Sequence, residues 1–254
     1  MPKVATKNAQ QIELIRAAGR ILADCHRVLR KAIAPGISTQ QIDEFVERFI
    51  TERGGTAAQK GYRGFPFATC ASVNDVVCHG FPTRELLRSG DIVTIDIVVE
   101  KDGWMADSGW TYLVGQPSPE VERLYKVTKL ALERGIAAAV PGNRIGDISY
   151  AIQRTADEAG IGIVKPLVGH GIGQMMHEPP DVPNYGRPGT GLKLRKGMVI
   201  TIEPVFTLGD TGAVLWESDG WTIRSADGTP GAQFEHTLAV TDKGPDLLTE
   251  QSYK

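Results

Sequence analysis

The chain reads as an α+β fold: one pseudo-symmetric domain over residues 1–254, with an antiparallel sheet flanked by helices. Three observations predict it. Residues 92–112 form two β-branched, apolar runs joined at Asp102-Gly103, a dipeptide that tolerates the positive φ angles of a tight hairpin. Two pairs of helical segments recur in the same order, punctuated by Pro35-Gly36 and Gly54 in the first pair and by Pro141-Gly142 and Gly160 in the second. Ile42 and Ile148 stand at that same offset, which indicates internal duplication of a helix-helix-sheet unit.

The elements follow in order. Residues 8–34 place Ile12, Ile15, Leu22, Cys25, Val28, Leu29, Ala32 and Ile33 on one face at a spacing of about 3.6 residues, an amphipathic helix stopped by Pro35-Gly36. Ser38-Thr39 can cap a second helix, which carries Ile42, Phe45, Val46, Phe49 and Ile50 and ends at Gly54-Gly55. Tyr62 to Phe81 is loop-rich. In the hairpin, a loop at Asp102-Gly103 sets residue 98 opposite 107 and makes Asp96 and Asp107 diagonal neighbours. A slip of one residue sets the two acids directly opposite. Either register puts both on one face. Helices are expected from about Glu120 to Val140 and from about Ile145 to Ala159. Residues 168–173, 198–204 and 232–240 are short strand-like runs bearing His170, Glu203 and Glu235, with Asp219-Gly220 as the counterpart of Asp102-Gly103. Arg187 to Gly191 reads as a surface loop.

Composition removes several function classes. Lys and Arg total 28 against 30 Asp and Glu, a net charge of −2, so no global basic field for nucleic acid exists. The start, Met1 to Lys7, lacks an apolar signal core, and no apolar run approaches the length of a membrane span. Cys25, Cys70 and Cys78 contain no Cys-x-x-Cys pair, which fits a reducing cytoplasm rather than a disulfide scaffold or zinc-thiolate site.

The chemistry rests on acids in unusual places. Asp96 sits inside an apolar strand, where one bland alternative is a wetted outer face formed with Thr94 and Val98. Glu203 closes an apolar strand just before Pro204, which ends the ladder. Glu235 alternates with Phe234 and His236. His170 lies among Gly169, Gly171 and Gly173, small residues that permit close approach. Four carboxylates and one imidazole suit divalent ions such as Mn, Fe, Co or Zn, and five ligands would suit a pair of ions about 3.5–4 Å apart. Two rivals are weaker. Gly169-His-Gly-Ile-Gly173 lacks the spacing of a phosphate-binding loop. Cys78-His79 is a poor nucleophile-base pair, because neighbours on a strand point to opposite faces. Cys78 is expected in the core, and His26 and His236 in structural or surface roles.

Several strings together resemble methionine aminopeptidase: Asn74-Asp-Val-Val-Cys-His-Gly80, Asp96 with Asp107, Gly169-His-Gly-Ile-Gly-Gln-Met-Met-His-Glu-Pro179, Glu203-Pro204 and Gln233-Phe-Glu-His236. The likeness covers nearly the whole chain and is to the short bacterial type I form, without a zinc-binding extension or a long insertion. It implies the pita-bread fold and two divalent metal ions whose identity is not readable. It also implies removal of the initiator methionine from nascent polypeptides when the second residue is small. Asp107 and Glu235 would bridge the ions, Asp96 would hold one, and His170 and Glu203 the other. Glu203 would also be the general base, His177 would bond the scissile carbonyl, and His79 would contact the scissile amide. The substrate's free amino terminus would dock near Asp96. Tyr62, Phe65, Cys70, Met176 and Trp221 match the methionine pocket, with Phe65 in place of tyrosine, Met176 in place of an aromatic, and Arg63 in place of a common histidine. The chain's own Met1-Pro2 would be a substrate by its second residue. A monomeric, cytoplasmic enzyme with transient ribosome association is expected, with Lys193, Arg195 and Lys196 as a small basic cluster. The runner-up is an Xaa-Pro aminopeptidase, which usually has an extra N-terminal domain. A non-catalytic binding protein on the same scaffold would typically have lost metal ligands.

Overall fold

The structure, a computed structural model, describes residues 4–251; Met1 and Pro2, read above as a substrate sequence, lie outside the described residues. The chain opens with helix α1 (Ala9–Ala32), whose start is fixed by a reciprocal cap. Asn8 Oδ1 accepts from Gln11 N at 2.9 Å and Gln11 Oε1 accepts from Asn8 N at 2.9 Å. Helix α2 (Thr39–Thr51) is capped by Ser38 rather than Thr39, with Gln41 as the returning partner. Thr39 instead exchanges hydrogen bonds with the Thr83 backbone.

Strand β1 (Thr56–Ala57) leads into the segment read as loop-rich. That segment does hold two short strands, β2 (Cys70–Val73) and β3 (Val76–Cys78). They turn at Asn74, which takes a left-handed φ of 55°. Strands β4 (Ile92–Lys101) and β5 (Trp104–Leu113) form the expected hairpin, and Asp102 and Gly103 both have positive φ. Val98 pairs with Asp107 and Asp96 with Gly109, so the diagonal register is the one adopted.

The second half repeats the order. Helix α3 (Pro119–Ala138) begins at a proline that Ser118 caps and stops two residues short of Val140; helix α4 (Ile145–Ala159) ends at Gly160 in the left-handed region. There follow β6 (Gly162–Ile163), β7 (Val168–Gly171), β8 (Glu178–Pro183), β9 (Val199–Ile202) and β10 (Val205–Thr207). The chain then runs through β11 (Val214–Trp216), β12 (Ile223–Ser225), β13 (Gly231–Gln233), β14 (His236–Thr241) and β15 (Gly244–Leu247). All recorded pairings are antiparallel. Asp219-Gly220 does not join the two site strands directly. It lies at the tip of the β11–β12 hairpin, within the long connection between β10 and β13.

Packing explains why a strand rich in β-branched residues tolerates an acid. Val93, Ile95, Ile97 and Val99 are fully buried on one face of β4, in the same cluster as Ile15, Leu22 and Leu29 of α1. The other face, with Thr94 and Val98, is also buried, so the wetted-face reading is wrong. That face abuts the second half of the chain. Thr111 Oγ1 donates to Gln233 O at 2.6 Å, Glu235 N donates to Gly109 O at 2.8 Å, and Asp107 N donates to Thr237 Oγ1 at 2.9 Å. The acids therefore sit where the two half-sheets meet.

Candidate active site

One cavity of about 280 Å³ collects the twelve residues expected to hold metal, act in catalysis or line the side-chain pocket: Tyr62, Phe65, Cys70, His79, Asp96, Asp107, His170, Met176, His177, Glu203, Trp221 and Glu235. The carboxylates come from two strand pairs. Asp96 and Asp107 descend from β4 and β5. Ile202 pairs with His236 and Val205 with Gln233, so the shared register sets Glu203 opposite Glu235 across the gap between these pairs. A Cβ on Gly109, the partner of Asp96, would make tight contacts with Gln233 Nε2 at 3.2 Å and Glu235 Oε2 at 3.3 Å.

His170 enters from β7. The glycines beside it serve the sheet rather than a ligand: a Cβ on Gly169 would meet Thr201 O of β9 at 2.6 Å, and one on Gly171 would meet Pro179 O of β8 at 2.4 Å. His170 Nδ1 lies 2.9 Å from Gly171 O. A carbonyl only accepts, so Nδ1 carries the proton and Nε2 keeps its lone pair. That lone pair faces acids, with Asp107 Oδ2 at 3.8 Å and Glu203 Oε1 at 3.7 Å.

The acids lack cationic partners. No lysine or arginine among the described residues forms an ion pair with Asp96, Asp107, Glu203 or Glu235. Burial raises all four carboxylates above their ordinary range, Asp96 to about 6 and Glu203 to about 8. Asp107 and Glu235 are likewise held well above it, through burial first and the neighbouring acids second. Burial also lowers His170 to about 4, with His177 adding to it. Asp96 Oδ1, Asp107 Oδ1 and Glu235 Oε1 are buried with no hydrogen-bond partner. Donor atoms of Asp107, His170 and Glu235 lie within 4.8 Å of one another. Orphaned carboxylate oxygens around a free imidazole lone pair are what a divalent cation satisfies, and this oxygen-rich donor set with one nitrogen fits such an ion.

His79 and His177 flank the cluster. Tyr62 OH lies 3.1 Å from His177 Nδ1, and the His177 ring centroid is 4.3 Å from that of His170. Burial, then the charge of Arg63, lowers the His177 pKa, while burial takes His79 to about 4, so both rings are neutral at pH 7. Cys78 and His79 do not face opposite sides: both line the cavity, because the strand ends at Cys78 and His79 adopts a φ of 53°. The outcome for Cys78 stands, since burial holds its thiol well above the usual value and keeps it protonated.

The apolar wall is aromatic. Phe65 meets Trp221 edge-on at 5.0 Å and Phe81 at 5.4 Å, and His79 lies 5.9 Å from Trp221. Sequence reading missed Gln59, Val98 and Leu167 in this wall. Val98 was legible from its place beside Asp96 on one strand face, whereas no local signal marks Gln59. His26 and His236 are structural and buried: His26 Nδ1 is 2.7 Å from Tyr112 OH, and His236 Nδ1 is 2.8 Å from Thr249 Oγ1.

Comparison with known proteins agrees with this geometry. The model of metallopeptidase family M24 matches residues 13–242. Methionine aminopeptidase 1 of Bacillus subtilis (strain 168) is 42% identical over 246 residues, covering 97% of this chain and 99% of that protein. The crystal structure of methionine aminopeptidase from Rickettsia prowazekii superposes with a TM-score of 0.95 at 38% identity, covering 98% of this chain and 100% of that one. A prolidase from Pyrococcus furiosus shares the fold alone, with a TM-score of 0.77 at 23% identity, and this chain spans 66% of its length. The chain belongs to metallopeptidase family M24 and, within it, to the methionine aminopeptidases.

Proposed function

We propose that the cavity between the two half-sheets is the site where this metal-dependent aminopeptidase removes N-terminal methionine, with Asp96, Asp107, His170, Glu203 and Glu235 holding a pair of divalent ions. The observation that carries the reading is the set of orphaned carboxylate oxygens around the free Nε2 of His170. Bound ions supply Lewis acidity, making water nucleophilic at neutral pH and polarising the scissile carbonyl.

The chain's own residues do the rest. Glu203, which accepts a hydrogen bond from Thr201 Oγ1 at 2.7 Å, is oriented to take a proton from the attacking water and return it to the leaving amine. With cations bound, its carboxyl is drawn back toward the ionised form that a base requires. His177, neutral and placed beside His170 at the cavity rim, donates to the carbonyl oxygen as negative charge develops. His79, held against Trp221, faces the scissile amide. The substrate's free amino terminus docks beside Asp96, which lines the same cavity. Phe65, Met176, Trp221, Tyr62 and Cys70 surround the methionine side chain, whose flexible thioether fits an aromatic and sulfur-lined pocket.

The chain is read as one catalytic unit with an internal pseudo-twofold, since a single apolar cluster contains residues from Ile15 to Leu248. Three buried free cysteines support a cytoplasmic setting, and no helix of the described residues is long and apolar enough to cross a membrane. Monomeric action on nascent chains, with transient ribosome docking near Lys193, Arg195 and Lys196, belongs to the same proposal. Substrate choice tests the reading. Metal-loaded protein should cleave Met-Ala-Ser rapidly, Met-Lys-Ser poorly and Ala-Pro-Ala hardly at all, because the rim admits a small second residue. Comparable rates on Met-Ala-Ser and Met-Lys-Ser, or preference for Ala-Pro-Ala, would reject it.

A further inference from the structure

Gln59 is 7% exposed, and its side chain lines the same cavity. Val98 N donates to its Oε1 at 3.1 Å. A backbone N–H only donates, so this contact fixes which end of the amide is oxygen and turns Nε2 toward Cys70. Nε2 lies 3.3 Å from Cys70 Sγ. The amide nitrogen carries two hydrogens, and its one recorded acceptor among the described residues is a thiol sulfur, a weak one. Phe65, Met176 and Trp221 line the same cavity. A hydrogen-bond donor therefore lines the cavity that also holds these apolar side chains, with its hydrogen-bonding capacity incompletely used. A buried donor in that state retains part of its desolvation cost, which a ligand lone pair can relieve.

We propose that Gln59 is a specificity-determining residue of the first-residue pocket, its Nε2–H group reading the heteroatom of the substrate side chain. The pocket then prefers a thioether to a methylene of equal length. The inference rests on the assignment of this cavity as the methionine pocket. It separates two physical terms that usually act together. Burial of apolar surface alone would rank norleucine at or above methionine, because a methylene gains at least as much on leaving water as a sulfur does. A donor in the wall reverses that order, since norleucine leaves the N–H unpaired.

The test compares kcat/KM of metal-loaded protein on Met-Ala-Ser, norleucine-Ala-Ser and O-methylhomoserine-Ala-Ser, whose first side chains differ at one atom. Wild-type protein should favour methionine over norleucine by about two- to tenfold, the range of one net hydrogen bond. In Gln59→Leu the preference should vanish or invert, and O-methylhomoserine should fall relative to norleucine because its oxygen has lost its donor. Each ratio is taken within one preparation, so a reduced folded fraction cancels. A wild-type ratio at or below one overturns the proposal even if the variant fails to fold, and so does an unchanged ratio in a folded Gln59→Leu. Cleavage of Met-Ala-Ser with either of those ratios rejects only the role of Gln59. Absence of Met-Ala-Ser cleavage rejects the site reading itself, and this inference with it.

Discussion

The first half of the chain presents its two acids from an unbroken ladder, whereas the second presents them at a gap. Strands β4 and β5 pair continuously from Ile92 with Leu113 to Lys101 with Trp104, and Asp96 and Asp107 are diagonal on one face. In the second half the pairing is interrupted at Glu203-Pro204, with Glu203 and Glu235 opposed across the break. The residue types follow from this. A short aspartate on a continuous ladder has its carboxylate fixed by the backbone, which suits a pure ligand. A glutamate reaches one methylene further, and on the proposed reading Glu203 at the break also moves a proton while Glu235 opposite it only holds metal. On that reading, holding and reacting are divided unequally between the two strand pairs.

Substitutions should expose that division. Asp107→Asn and Glu235→Gln take one acid from each strand pair at the centre of the cluster. Each should lower kcat/KM by more than the roughly 10²–10⁴-fold typical of losing a single acid–base group, because the cation site itself is damaged. Metal analysis should show the loss of bound ion, and near-normal occupancy in either variant would break the equivalence of the two pairs. Glu203→Gln should behave differently: at metal occupancy confirmed as full, kcat should still drop by about 10²–10⁴-fold. Normal turnover at full occupancy would make Glu203 a ligand only. Next comes His177→Ala, for which loss of one donor to the developing oxyanion predicts a fall of about 10²–10³-fold in kcat. An effect confined to KM would remove His177 from the transition state.

The pH dependence of stability gives a smaller effect with a definite sign. In metal-free protein Glu203 is raised from 4.5 to about 8, so the folded state holds a proton that the unfolded state has released. Stability from this group is complete below pH 4.5 and is lost as pH rises toward 8. His79 and His170, lowered from 6.5 to about 4, act in the opposite sense, their stability being lost as pH falls from 6.5 through 4. Between pH 6.5 and 8 the carboxylates therefore decide, and the Tm of metal-free protein should fall as pH rises. Glu203→Gln should flatten that slope, and a Tm rising with pH over the interval would contradict the burial argument. Smallest of all, Cys78→Ser should leave turnover within a few-fold of wild type, since the thiol faces Gln233 Oε1 at 3.7 Å and stays protonated. Loss of activity by orders of magnitude in a folded variant would restore a cysteine mechanism.

Legibility in the sequence followed the same contrast. The first hairpin could be read from composition, because alternating β-branched residues and Asp102-Gly103 fix a ladder locally. Its register, left open between two choices, was decided by the turn, with both Asp102 and Gly103 at positive φ. Helix ends were readable where a proline or a cap fixes them, as at Ser38 and Pro119. The second strand pair was harder. A long connection separates Glu203 from Glu235, and their opposition depends on pairing that no local pattern encodes. Their grouping with His170 rested on the chemistry of acids and one imidazole on short apolar strands, their individual roles on family resemblance, and the structure brings all three to the same cavity. Cys78-His79 misled for a local reason, since strand alternation assumes a backbone that His79 abandons. Gln59 was invisible because its place in the wall is set by Val98 and Cys70, distant in sequence.

The central claim is that the two strand pairs act together only through divalent cation. The most direct measurement is turnover of Met-Ala-Ser by protein stripped exhaustively of metal, then titrated with Mn, Fe, Co or Zn while bound ion is counted. The account predicts no turnover in the stripped protein and recovery as ions bind, with Tm at pH 8 rising in parallel because the buried carboxylates are neutralised. Full turnover by protein shown to be metal-free would contradict it.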